Sequence, residues 1–157
     1  MKDRIKFSDE MLAAVIDGRK TQTRRLIEPQ SKVTEKRLRE LDAWQDGYPL
    51  SEQVYAAWRH GFIDDDCPYG QAGDVIPFAD KDGNIKGKIE IVDVWLQQLQ
   101  EITLGDICKE VGCGIYDFEP AHYGFEVFAD IWSSIYGRGS WLANPWVWVI
   151  EFKQIQG

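Results

Sequence analysis

Long apolar runs are missing from this sequence. No stretch approaches the roughly 20 residues of a membrane span, and the opening residues lack the pattern of a secretory leader. A cytoplasmic protein with no membrane partner is expected. Cysteine is scarce, and the odd set Cys67, Cys108 and Cys113 speaks against a disulfide framework. Cys108 and Cys113 are too widely spaced for a zinc knuckle, and only His60 and His122 could join them. Neither a metal nor any other cofactor is expected. Cations are outnumbered, 18 against 26 acidic residues, for a net charge of −8. Binding to double-stranded DNA, driven by the counterions that many cations displace, is therefore not expected. A small, locally basic pocket is still allowed, and it favours a nucleoside, nucleotide or short RNA element.

What is present points to a folded chain. Its 157 residues suit one domain, and 44% hydrophobic with 13% aromatic residues is ample for a core. Seven tryptophans are many for this length, and some are expected to line a surface or pocket. No repeat or low-complexity tract interrupts the chain.

The sign of the charge reverses in Gly18-Arg19-Lys20-Thr21-Gln22-Thr23-Arg24-Arg25. Before it, Met11, Leu12, Val15 and Ile16 recur at helical spacing, with Ser8 placed to cap and Gly18 to stop the helix. After Lys20 the pattern becomes that of a strand reaching Leu26 and Ile27 before Pro29. On such a strand Thr21, Thr23 and Arg25 share one face, while Gln22 and Arg24 point the other way. Two readings fit: a solvated basic turn paired with surface carboxylates, or an anion or nucleotide pocket holding a Lys-Thr pair.

Residues 30–66 read as a helical insertion beside the main fold. Leu38, Leu41 and Trp44 make a thin apolar stripe on a first helix, Ser51 opens a second, and Asp64-Asp65-Asp66 marks an acidic loop. Pro77 predicts a short or edge strand. Asp82-Gly83-Asn84 predicts a hairpin, followed by a strand with Ile85, Gly87, Ile89 and Ile91 on one face. Thr103 and Asp106 form a capping-box pattern for a short helix that Gly112 stops. A longer helix carries Phe125, Phe128, Ile131, Trp132 and Ile135, a stripe expected to be core. Trp146 to Phe152 reads as a strand buried on both faces. This mixture predicts an α+β fold, a small mixed barrel with flanking helices.

Three pieces carry a family resemblance. Gly18-x-Lys20-x-x-Thr23-x-Arg25 resembles the signature of the ASCH family. Pro68-Tyr69-Gly70-Gln71-Ala72-Gly73-Asp74-Val75 looks like its glycine-aspartate turn, and Gly139 to Phe152 like the closing strand of prophage-type members. The resemblance implies a PUA-like β-barrel and a pocket for RNA or a modified nucleoside. In the branch that hydrolyses acetylated cytidine, a Lys, a Thr and a Glu act together. Lys20 and Thr23 match the first two by motif, and the short helix after the central strand places the third on Glu110. Further candidate contacts are Arg19, Thr21, Arg24 and Arg25 of the basic stretch and Asp74 of the turn. Three functions stay open: an amidohydrolase on an acylated nucleobase, with Thr23 as nucleophile, Lys20 as base and Glu110 as acid; a non-catalytic RNA reader using Arg24, Arg25 and exposed tryptophans; and a prophage accessory protein that binds another protein.

Overall fold

A computed structural model describes residues 5–27, 30, 35–40, 44, 46–48, 52, 53, 56, 67–112 and 122–155. The elements are β1 (Ile5–Lys6), α1 (Asp9–Ile16), β2 (Gln22–Leu26), α2 (Glu35–Glu40), β3 (Val75–Ala79), β4 (Ile85–Gln98), α3 (Leu104–Val111), α4 (His122–Tyr136) and β5 (Trp146–Ile155). The strands form one sheet in the order β1-β3-β4-β5-β2. Among the described strands only the β1–β3 pair is parallel. The fold is α+β, as expected, and the sheet curls into a half-barrel with helices beside it. Of residues 30–66, expected to form an insertion, the described part is α2, the half-buried Trp44 and a few residues besides. Most of the second helix and the Asp64-Asp65-Asp66 loop lie outside the described residues.

The long strands carry the sheet. In β5, Trp146, Trp148, Ile150 and Phe152 face one hydrophobic cluster, with Phe7, Phe78, Ile89 and Ile91. Val147 and Val149 face a second cluster, with Ile107, Phe128 and Trp132. Alternation on a strand covered on both sides produces the near-continuous apolar run read in the sequence. In β4 the buried positions are Ile89 and Ile91, then Val94 and Leu96. The change of parity has a local cause. The register with β5 shifts between Ile91 and Asp93, a bulge whose extra residue leaves Val92 exposed and returns the next apolar side chains to the same core. Ile85, expected on the inner face, is half-exposed at the start of the strand.

Pro77 sits inside the sheet, between β1 and β4, yet β1 reaches only Phe78 and Ala79. Its missing N–H thus falls where the short parallel pair does not extend. The predicted turn joins β3 to β4, with the Asp80 carboxylate accepting from the backbone N–H groups of Asp82 (3.0 Å) and Asn84 (2.9 Å). Across that pair Phe78 lies opposite Gly87. A Cβ on Gly87 would stand 2.7 Å from the Phe78 ring, which is fully buried. Gly87→Ala is expected to cost about 1–3 kcal/mol through overpacking, read from the denaturant midpoint at unchanged slope. An unaltered midpoint would show that the ring moves freely.

Candidate ligand-binding site

The turn after α1 aims the basic stretch. Ser8 caps the helix by accepting from the Met11 N–H, and at the other end Gly18 takes φ +77, a conformation suited to glycine. The N–H groups of Arg19 and Lys20 both return to the Ala14 carbonyl, at 2.9 and 3.0 Å. Thr21 is then held by its backbone, donating to the Lys109 carbonyl and accepting from the Phe152 N–H. With β2 pinned to α3 on one side and β5 on the other, its side chains alternate as expected.

Gln22 and Arg24 face α3. The Arg24 guanidinium donates to Gln22 Oε1, to Glu110 Oε1 at 3.0 Å and to Gln97 Oε1 at 2.8 Å, and lies 3.5 Å from Asp106 Oδ2. On the opposite face Arg25 Nε donates to Thr23 Oγ1 at 3.2 Å, and Arg25 Nη2 to the Lys6 carbonyl at 2.7 Å. Its guanidinium lies 5.2 Å from the Phe7 ring centre, a cation–π distance.

Lys20 joins these residues to α3. Its Nζ donates to the Gln22 carbonyl at 2.8 Å, the Glu110 carbonyl at 2.6 Å and Glu110 Oε2 at 3.1 Å. Three donated bonds describe an ammonium with its hydrogens committed. Burial nevertheless pulls the Lys20 pKa below its ordinary 10.5; Glu110 opposes that shift, while Arg25 and Arg24 add to it. Glu110 is held in place by helix phase. Thr103 and Asp106 form the predicted capping box, and Gly112 ends α3 in the left-handed region at φ +82. Lys20, Thr23, Arg24 and Glu110 are each no more than 5% exposed.

These residues form the polar side of a cavity of about 340 Å³. Phe7, Ser8 and Met11 line it at the start of α1, Phe128, Ile131, Trp132, Ile135 and Tyr136 of α4 make an apolar wall, and Lys6 and Lys81 add two exposed cations. The volume lies within the usual span of small-molecule sites, about 300–1,000 Å³. Among the described residues, Arg24 Nε and Trp132 Nε1 are buried donors without a partner. Both belong to residues lining this cavity. A buried donor left unpaired costs about 1–3 kcal/mol.

The structure brings Lys20, Thr23, Arg24, Arg25 and Glu110 to one cavity and leaves three candidates outside it. Arg19 bonds to Asp17 at 3.1 Å and to the Gly112 carbonyl at 3.2 Å, with half its side chain in solvent. Thr21 serves through its backbone. Asp74 accepts from the Gln71 N–H at 2.8 Å and so shapes the turn before β3. The α4 stripe also needs correction. Phe128 and Trp132 are core, as expected, but Ile131 is half-buried and Ile135 is 64% exposed, and all line the cavity. Trp132 stacks on Tyr136 with ring centres 4.2 Å apart. Among the described residues no tryptophan is fully exposed; Trp44, Trp95 and Trp141 are half-buried. Sequence reasoning missed Lys6, Phe7, Lys81 and Tyr136; a Trp-Tyr pair one helical turn apart was the available signal.

Comparison with solved structures bears on the fold. A protein of family DUF984 from Enterococcus faecalis superposes with a TM-score of 0.54, at 13% identity, over 99% of this chain and 81% of its own. The likeness is one of fold. An ASCH domain from Lactobacillus crispatus also matches, with a TM-score of 0.42 and 16% identity over 98% of this chain and 80% of its own. No family model matches the chain, and neither does any curated protein. Among the described residues no helix is long and apolar enough to cross a membrane, and no group of three or more His, Cys, Asp or Glu side chains could hold a metal ion.

Proposed function

We propose that the cavity binds a nucleobase, carried by RNA or by a modified nucleoside. The observation that carries this reading is the pair of unpartnered buried donors, Arg24 Nε and Trp132 Nε1, in residues lining one cavity with an aromatic wall. A nucleobase supplies both complements. Its carbonyl oxygens and ring nitrogens accept hydrogen bonds in the plane, and its faces pack on aromatic rings. The resemblance of Gly18-x-Lys20-x-x-Thr23-x-Arg25 to the ASCH signature supports the same class of ligand. Titration of the intrinsic tryptophan fluorescence with the common nucleosides and acetylcytidine tests it. Trp132→Phe removes the donor and keeps a ring, so affinity should fall roughly tenfold, the worth of one hydrogen bond. Saturable binding of none of these ligands by the folded protein would sink the reading.

Hydrolysis of an acylated nucleobase amide is a second reading, favoured by Thr23 lining the same cavity as the Lys20–Glu110 pair. A threonine hydroxyl attacks a carbonyl only when a base takes its proton. Lys20 gains a free lone pair if its proton passes to Glu110 Oε2, 3.1 Å away, and burial eases that transfer by lowering the lysine pKa. The Thr23 oxygen then bonds to the acyl carbon and Lys20 takes the hydroxyl proton. As the C–N bond breaks, Glu110 returns a proton to the departing amine, and water releases the acyl group from Thr23. Incubation with acetylcytidine should release cytidine, and Thr23→Ala should abolish release while leaving binding within a few-fold. Release that survives in Thr23→Ala would remove Thr23 from the chemistry.

A further inference from the structure

Apart from Arg24 Nε, the buried cations of the cavity are paired within the protein, while its more exposed lining carries further cations. Lys20 has its hydrogens directed at protein oxygens, and four of the bonds Arg24 makes go to Gln22, Gln97, Glu110 and Asp106. The exposed or half-buried cations of the lining are Lys6, Lys81 and Arg25. Arg25 spends Nε on Thr23 and Nη2 on the Lys6 carbonyl, which ties the inner cavity to its mouth. Its Nη1 donates to nothing among the described residues, and Lys6 Nζ has no carboxylate there. Lys81 has one partner, Asp9 at 3.5 Å, with both side chains about two-thirds exposed or more. A chain of net charge −8 has thus gathered three cations around the opening of one apolar-walled cavity.

We propose that this site takes a nucleotide, with the base inside and a terminal phosphate monoester held at the mouth by Lys6, Arg25 and Lys81. The proposal rests on the nucleobase reading and adds the charged half of the ligand. A neutral nucleoside leaves the three cations without a use. A phosphate offers each of them a charge-assisted acceptor, and the overall negative charge of the chain makes a local cationic cluster necessary for any anion to approach. Asp9 is the competing anion. As an exposed partner at 3.5 Å it is one that a doubly charged phosphate can displace from Lys81.

The test is a set of fluorescence titrations with cytidine and uridine, with their 5′- and 3′-monophosphates, and with a short RNA bearing or lacking a terminal phosphate. One monophosphate should bind roughly tenfold tighter than its nucleoside at low salt, and high salt should erode that advantage. In the variant carrying Lys6→Ala and Lys81→Ala the ratio of the two affinities should fall towards one. Equal affinity of nucleoside and monophosphate in the wild type would overturn the proposal and leave the nucleobase reading standing. So would an advantage that persists in the double variant. Binding of no nucleoside and no nucleotide would overturn both. Preference for the phosphorylated RNA over the free nucleotide assigns the site to chain ends, and the reverse assigns it to mononucleotides; either places the phosphate at the mouth.

Discussion

Replacing Glu110 by Gln should cost about 3–5 kcal/mol, the penalty for removing one partner from a buried charge cluster. Glu110 is the anion shared by two buried cations. Oε2 meets Lys20 at 3.1 Å and Oε1 meets Arg24 at 3.0 Å, with the side chains of the two cations 3% and 0% exposed. The neutral amide keeps one acceptor oxygen, turns an NH₂ towards a cation, leaves Lys20 without a carboxylate and leaves Arg24 only the more distant Asp106. Asp106 cannot take over, because it lies 3.5 Å from Arg24 and is itself partly exposed. For a chain of this length the loss corresponds to a fall of roughly 10 °C in Tm. Asp106→Asn is the comparison, expected to cost less than Glu110→Gln because Asp106 is partly exposed and Asn keeps an oxygen to accept from the Thr103 N–H. Equal shifts in the two variants would mean that the cluster does not depend on Glu110 in the way its geometry implies.

How much of this was legible depended on whether the information was local. The basic stretch stood out because it reversed the sign of the chain, and its strand alternation placed Thr23 and Arg25 on one face and Arg24 on the other. Glu110 came from the family resemblance, by aligning its short helix on spacing, and that helix has strong punctuation at both ends. The Thr103–Asp106 box and Gly112 fix the phase of α3, and phase decides which side chain meets β2. Asp74 was a candidate as part of the family-like turn and Arg19 as part of the basic stretch, and the structure shows Asp74 shaping its turn and Arg19 paired with Asp17 and the Gly112 carbonyl. The apolar pattern of α4 fixed a buried stripe but not its edge. Phe128 and Trp132 enter the core, whereas Ile135 and Tyr136 reach past it, and only the position of α1 across the cavity makes them a wall. The bulge in β4 was hidden for a similar reason, since one extra residue changes parity without changing composition.

The location of the cluster follows from the topology. Among the described residues β2 is the last strand in the sheet, paired only with β5, so its other edge has no further strand there to satisfy. Charged residues suit an edge strand because they discourage pairing with another chain. Here α3 packs against that strand and turns two of its polar side chains, Gln22 and Arg24, into buried ones. Burial then requires partners. The helix supplies them at Asp106 and Glu110, one turn apart and therefore on one face. The same helix that buries the charge thus carries what neutralises it.

Lys20→Met should separate the two readings of the cavity. In the hydrolytic reading Lys20 moves the proton of Thr23, so turnover of acetylcytidine should drop by about 10²–10⁴-fold, the worth of general-base catalysis. In the binding reading its hydrogens serve Gln22 and Glu110 rather than the ligand, so nucleobase affinity should stay within a few-fold. The stability cost should be smaller than for Glu110→Gln, about 1–3 kcal/mol. Two carbonyls lose a donor, but a buried ammonium is also removed and Arg24 still balances Glu110. The pH dependence gives an independent check on the lysine itself. Its folded pKa lies below the unfolded 10.5, so its contribution is a penalty, present in full below the folded value. That penalty disappears as pH rises from there through 10.5, because the unfolded chain holds the extra proton over that window. Wild-type stability should therefore gain on that of Lys20→Met as the pH is raised through the alkaline range in urea titrations. A gap that narrows instead would mean that Glu110, rather than burial, governs the charge on Lys20. The amine would then stay protonated, and the proton transfer that the hydrolytic reading needs would have no support.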